Sequence, residues 1–191
     1  MNAALHEGRS EVPALMRGWK RTLSASIGEF IARIDSLYLG TADAAGQPYI
    51  QHRGGPPGFL RVIDPRTLAF ADFSGNRQYV SVGHLTLNPK AFLFLMDYER
   101  QQRVKIFGTA RVSNEPALLR ATAVDGYDAD VERVIVIDVG GWTANCPQHI
   151  PRRLSEATVA SQTAALRAKV VQLEAENARL RRADSTAAFT P

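Results

Sequence analysis

Four short apolar or alternating segments follow one another between Leu37 and Phe73, joined by connections too short to hold a helix. The segments are residues 37–41, 48–53, 59–63 and 67–73; the connections read Asp43-Ala44-Ala45-Gly46, Gly54-Gly55-Pro56-Pro57 and Asp64-Pro65-Arg66. Clusters of glycine, proline and aspartate form turns. Parallel neighbours need a crossover of about a dozen residues or more, so these strands pair antiparallel. Further strands are expected at 91–97, 104–112 and 131–139. Within the last, Val134-Ile135-Val136-Ile137 is continuously apolar, as in a strand buried on both faces. Short strands in meander order with few helices predict a mainly β, α+β fold: an antiparallel barrel with peripheral helices.

Leu15, Trp19, Leu23, Ile27, Phe30 and Ile34 recur at spacings of three and four, which predicts a helix over residues 12–33 that Ser24 or Ser26 could break in two. A helix over 77–87 is stopped by Asn88-Pro89. A short helix over 115–124 has Asn114 or Ser113 as its cap and Pro116 in its first turn. From Pro151 onward glycine disappears, and Ala, Leu, Glu, Arg and Gln dominate. Val159, Leu166, Leu173 and Leu180 are spaced by seven, with Thr163, Val170 and Asn177 at the companion positions. This is either a parallel coiled coil, with Lys169 facing Glu174 and Glu176 facing Arg181 across the pair, or a single amphipathic helix lying on the barrel. The chain thus divides into a helical segment at 1–33, a barrel domain at 34–150, a heptad helix at 151–182 and a frayed tail at 183–191.

Two of the expected strands end in turns that carry an arginine. The first turn region is Gln51-His52-Arg53-Gly54-Gly55-Pro56-Pro57-Gly58-Phe59-Leu60-Arg61; the second is Ser74-Gly75-Asn76-Arg77-Gln78, leading into a helix. Backbone N–H groups at a helix start, joined by a guanidinium, suit a phosphate ester. The alternative is a polar hairpin with surface arginines.

After the second turn come Asn88-Pro89, the apolar strand Ala91-Phe92-Leu93-Phe94-Leu95-Met96, then Arg100-Gln101-Gln102-Arg103 and the strand Val104 to Val112. This order resembles the pyridoxamine 5'-phosphate oxidase-like family of FMN-binding split β-barrels, over roughly Ile34 to Ile150. The likeness extends to a branch of flavoproteins carrying Gln-His-Arg-Gly-Gly, Gly-Asn-Arg-Gln and Asn-Cys-Pro-Gln-His-Ile, here Gln51–Gly55, Gly75–Gln78 and Asn145–Ile150. The resemblance implies a homodimer with FMN at its interface; FAD, a deazaflavin or haem remain open.

It also implies roles for particular positions. Gly58, Phe59, Leu60 and Arg61 match the segment that lies along the flavin. Ala71 and Asp72 match a pair that touches it. Threonine is common where Asp72 stands, so Asp72 is expected beside the ribityl hydroxyls or the ring edge, or paired with an arginine. Asn76 and Arg77 belong to the phosphate turn, and Gln78 stands where a second basic residue is common. Arg103 stands where a glutamine often meets the flavin and can supply the missing charge. Trp142 matches a tryptophan near the flavin. Gln51, His52 and Arg53 are candidates for the substrate side of the ring. The family's Arg-Leu-His motif for the substrate phosphate has no match after Val139. The expected activity is therefore oxidation or reduction of another small molecule, with a reductase as a further partner. A flavin-binding or sensing protein is the alternative.

Other classes are disfavoured. A net charge of +4 without a concentrated basic stripe does not indicate nucleic acid. Only Arg152 and Arg153 precede the heptads, which is no basic region for a DNA-binding zipper. The longest apolar run, Ala91–Met96, is too short to span a bilayer. Residues 1–11 carry no apolar signal core, and the single cysteine, Cys146, cannot form an internal disulfide, so a cytoplasmic protein is expected. Cys146 and His149 have C-x-x-H spacing but lack a second such pair for zinc, and no metal is expected. His84 or His149 would be the axial ligand in a haem-binding relative.

Overall fold

The computed structural model describes residues 16–145 and 147–187. Seven strands form one antiparallel sheet: β1 (Ser36–Ala42), β2 (Pro48–Gly54), β3 (Leu60–Asp64), β4 (Thr67–Phe73), β5 (Lys90–Asp97), β6 (Gln102–Ser113) and β7 (Val131–Asn145). Four helices accompany them: α1 (Ala25–Arg33), α2 (Val80–Leu87), α3 (Pro116–Thr122) and α4 (Glu156–Ala187). The spatial order is β2-β1-β5-β6-β7-β4-β3, not the simple meander expected from the sequence. Hairpins join β1–β2, β3–β4 and β5–β6, β6 pairs with β7 across a connection that carries α3, and the pairings β1–β5 and β4–β7 bring distant segments together. The edge strands β2 and β3 are consecutive in the chain yet are not hydrogen-bonded to each other, which is the split of the barrel.

One main core is shared by six of the seven strands. Leu37 and Leu39 of β1, Leu93 and Leu95 of β5, Ile106 of β6, Ile135 and Ile137 of β7, and Leu68 and Phe70 of β4 meet Ile27, Phe30 and Ile31 of α1. A sheet can gather its two ends around one core only by curling. Each such side chain contributes about 1.5–3 kcal/mol on burial. The continuous apolar run in β7 divides by strand alternation: Ile135 and Ile137 face this core, whereas Val134 and Val136 face a second cluster with Ala69, Leu118 and Leu119, the last two carried by α3.

The expected helix over 12–33 is corrected. Residues 12–15 lie outside the described residues; Met16 to Leu23 is not a regular helix, and α1 begins only at Ala25. Lys20 instead bridges Trp142 of β7, with backbone bonds of 3.0 and 2.8 Å. Trp19 packs against Phe92 and Phe107, at ring centroid distances of 6.3 and 5.6 Å. Trp19 is thus partly buried beside an isolated bridge to β7 and not on a helix face. Leu23, Ile27, Phe30 and Ile34 are buried as their spacing predicts.

The helix expected from residue 77 starts at Val80, because Arg77 and Tyr79 adopt left-handed backbone, with φ of 57° and 50°. Such conformations cost a residue with a side chain about 1–3 kcal/mol. In α3 the cap is Glu115, while the Ser113 hydroxyl accepts the Glu115 N–H at 3.2 Å. β7 continues six residues beyond the expected end at Val139, to Asn145. Gly108 pairs with Val139 and Phe107 with Gly141, so Gly140 is the extra residue of a bulge. A Cβ on Gly108 would lie 2.0 Å from the Asp138 carbonyl oxygen, so only glycine fits this crossing.

The chain divides into two compact units, Met1–Ile150 and Pro151–Pro191. The second is built around α4, a 32-residue helix that continues past the expected end at residue 182. Among the described residues, no helix is long and apolar enough to cross a membrane.

Candidate functional site

The ends of β2 and β4 and the start of α2 line a small open cleft. Tyr49, Gln51 and Arg53 reach it from β2, since alternate residues of a strand share a face. His52 points the other way and meets Tyr38, with ring centroids 5.7 Å apart. Asp72 and Phe73 enter from β4, and Gly75 through Ser81 form the wall made by the second arginine turn and α2. Glu132 of β7 completes the lining.

Charge in this region is organised around Asp72, whose side chain is 5% exposed. Arg53 Nη1 donates to Asp72 Oδ1 at 2.6 Å, and Arg133 Nε lies 3.6 Å from Asp72 Oδ2. Asp72 and Arg133 are cross-strand partners, so the β4–β7 register sets this contact. Asp72 therefore takes the arginine-paired option among its expected environments. Burial pushes its carboxyl above the ordinary 3.8; the Arg53 and Arg133 charges pull it back only in part, and Glu132 adds to the rise.

Glu132 hydrogen-bonds to Arg133 and accepts the Tyr79 hydroxyl at 3.0 Å. Arg133 also lies over the Tyr79 ring, 4.8 Å from its centroid. Burial pushes the Glu132 carboxyl up, but the bonds from Tyr79 and Arg133, with the charges of Arg133 and Arg77, hold it below its ordinary value. Three guanidiniums, Arg53, Arg77 and Arg133, face two carboxylates, Asp72 and Glu132, leaving one net positive charge.

Two cleft atoms are buried without a hydrogen-bond partner: Ser81 Oγ and Arg53 Nε. A buried polar group left unsatisfied costs about 1–3 kcal/mol. Both atoms can donate to an anion. The exposed Arg77 and the unpaired first-turn N–H groups of α2 would join them. Gln78 N donates to Asn76 Oδ1 at 3.3 Å, which shapes the turn. The donor set fits a phosphate ester.

Of the residues proposed from sequence, Gln51, Arg53, Asp72, Asn76, Arg77 and Gln78 converge on this cleft. The others do not line it. Phe59, Leu60 and Ala71 are buried to 3% exposure or less. Gly58, at φ 84°, shapes the turn before β3. Arg61 Nη2 donates to the Ala123 carbonyl at 3.4 Å, and its Nε, like Arg103 Nε, is buried without a partner. Trp142 is a core residue whose Nε1 donates to the Thr22 carbonyl at 2.9 Å, with Lys20 Nζ 5.0 Å from its ring centroid.

Tyr49, Tyr79, Ser81, Glu132 and Arg133 were not singled out from sequence. Strand alternation back from Gln51 points to Tyr49, which donates to Gln51 Oε1 at 2.5 Å. The other contacts depend on register and on the late start of α2.

The haem candidates are placed separately. His84 Nδ1 is 3.1 Å from Thr41 Oγ1 and its ring meets Tyr49, while His149 is exposed. Cys146 lies outside the described residues. Among the described residues, no group of three His, Cys, Asp or Glu side chains is placed to hold a metal ion.

The sequence profile of the family described as "Pyridoxamine 5'-phosphate oxidase" matches residues 23–177. Among solved structures, the chain is similar to HupZ of Group A Streptococcus, at 20% identity and a TM-score of 0.53, over 69% of this chain and 99% of that one. This likeness shows a shared fold. General Stress Protein 26 from Bacillus anthracis is more distant, at 13% identity and a TM-score of 0.47, over 61% of this chain and 89% of that one. No curated protein matches the sequence.

Proposed function

The chain belongs to the pyridoxamine 5'-phosphate oxidase family, and from that premise we propose that it binds FMN as a homodimer and serves as an oxidoreductase for a small molecule other than pyridoxamine phosphate. The observation that carries the reading is the pair of buried, unpartnered donors, Ser81 Oγ and Arg53 Nε, in the cleft that also holds Arg77. Phosphate oxygens would accept from Ser81 Oγ, Arg53 Nε, Arg77 and the α2 N–H groups. The carboxylate of Asp72 stands close to this anion site, and its repulsion is offset by Arg53 and Arg133.

Bound flavin supplies a two-electron acceptor and donor. The chain's own residues bind and orient it. Gln51, held by Tyr49, and Arg53, held by Asp72, present polar atoms from one strand face toward the cleft. They are suited to position a polar substrate against the ring. The single cysteine, which can form no internal disulfide, favours a reducing compartment.

The first test is the visible spectrum of the purified protein, with the released cofactor identified by mass. Flavin bands with the mass of FMN are expected; a colourless protein that takes up no added FMN would refute the reading. Arg77→Ala is expected to weaken FMN binding by about 1.5–3 kcal/mol, roughly tenfold to a hundredfold. Equal affinity in variant and parent would remove the phosphate site from the start of α2.

A further inference from the structure

The helix α4 carries a seam with no counterpart inside its own unit. Val159, Leu166, Leu173 and Leu180 lie on it at intervals of seven, and they are 46%, 68%, 50% and 54% exposed. Val170, three residues before Leu173, is 52% exposed, and Thr163 and Asn177 continue the companion row. Apolar side chains at every third and fourth residue form one stripe along a helix. At 1.5 Å per residue the helix is about 48 Å long. No glycine or proline interrupts it between Glu156 and Ala187. In proteins most of a helix's stability comes from packing of such a stripe.

We propose that α4 pairs with α4 of a second copy of this chain as a parallel two-stranded coiled coil. The leucines take the inner d positions and Thr163, Val170 and Asn177 the a positions. Lys169 then faces Glu174 of the partner subunit, and Glu176 faces Arg181 of the partner subunit. Each pair occurs twice by symmetry.

Charge alone does not set the direction. An antiparallel pair that matches Lys169 with Glu176 of the partner subunit also matches Arg167 with Glu174 of the partner subunit. Asn177 separates the two arrangements. In the parallel pair it meets Asn177 of the partner subunit, and the two amides hydrogen-bond. In the antiparallel pair it meets Leu166 of the partner subunit, and its amide is left without a partner. Val171 falls outside the seam and stays exposed in either case.

This inference stands apart from the flavin reading, and its test reads only thiol pairing in the full-length chain. With Cys146→Ser removing the native thiol, a single cysteine is placed by Leu180→Cys on the seam or by Ala175→Cys on the opposite face. Both sites are exposed. In a glutathione redox buffer, most Leu180→Cys chains are expected to form disulfide-linked dimers and Ala175→Cys chains to remain single. Adding Lys169→Glu should lower the Leu180→Cys yield several-fold, and adding Glu174→Lys as well should restore it. Equal linking at the two positions, or none at position 180, would overturn the pairing. A further drop on adding Glu174→Lys would overturn the parallel direction, since that double exchange repels only in the antiparallel pair.

Discussion

β7 and α4 both carry regular apolar residues, and they dispose of them in opposite ways. Val134, Ile135, Val136 and Ile137 of β7 are 2% exposed or less, while Val159, Leu166, Leu173 and Leu180 of α4 are 46–68% exposed. This stretch of the strand is sandwiched between the main core and the α3 cluster, so all four of these side chains have neighbours in the same unit. The helix presents one stripe, and its own unit offers nothing to cover it. The first unit completes its core by itself; the second does not. Hydrophobicity of a segment thus says how much surface must be hidden, not where the cover comes from.

The contrast can be broken most directly in β7. Ile135→Ala should destabilise the first unit by about 2–5 kcal/mol, because the buried side chain leaves a cavity that close-packed neighbours cannot fill. Urea denaturation measures this, and a loss below about 1 kcal/mol would show a core that relaxes freely around the site.

A smaller effect is expected at the cleft. Asp72 has a raised pKa, so the folded state holds its proton more tightly than the unfolded state does. That contribution to stability is complete below the ordinary value of 3.8 and is lost as pH rises through the raised folded value. The stability of the parent relative to Asp72→Asn should therefore fall over that window and level off above it. Paired urea titrations across the acid range test the sign; a relative rise with pH would mean that Arg53 and Arg133 outweigh burial.

The smallest effect should follow removal of α4. Deleting residues 151–191 is expected to leave the melting temperature of the first unit essentially unshifted, since that unit has its own core. The truncated chain should also remain a dimer if the flavin interface holds the pair. A monomer by light scattering would instead assign dimerisation to the heptads.

Local rules reached far into this fold. Turn clusters and alternation located the strands, because a two-residue period needs only neighbours to be read. Arg77 and Gln78 were likewise visible as a turn before a helix. The cleft was legible only in part. Glu132 reaches it, and Arg133 reaches Asp72, through the pairing of β7 with β4, which joins segments about 60 residues apart. Ser81 enters it because α2 starts three residues later than its sequence suggests. The glycines at 140 and 141 read as a strand end, yet with Gly108 they accommodate a bulge that carries β7 onward to Trp142 and its bond to Thr22. Trp19 shows the same limit from the other side, since its spacing fits a helix and its partners lie on β5 and β6.

The sequence by itself determined an antiparallel, mainly β chain with a heptad helix at its end, the arginine turns and the family likeness. These follow from local conformational preference and from the periodicity of what must be buried. The tertiary structure decided that the strand order is not a meander, that Asp72 lies between Arg53 and Arg133, and that Ser81 Oγ faces a charged cleft without a partner. Those outcomes depend on long-range strand register, which is selected by the packing of the whole sheet and not by any one of its segments.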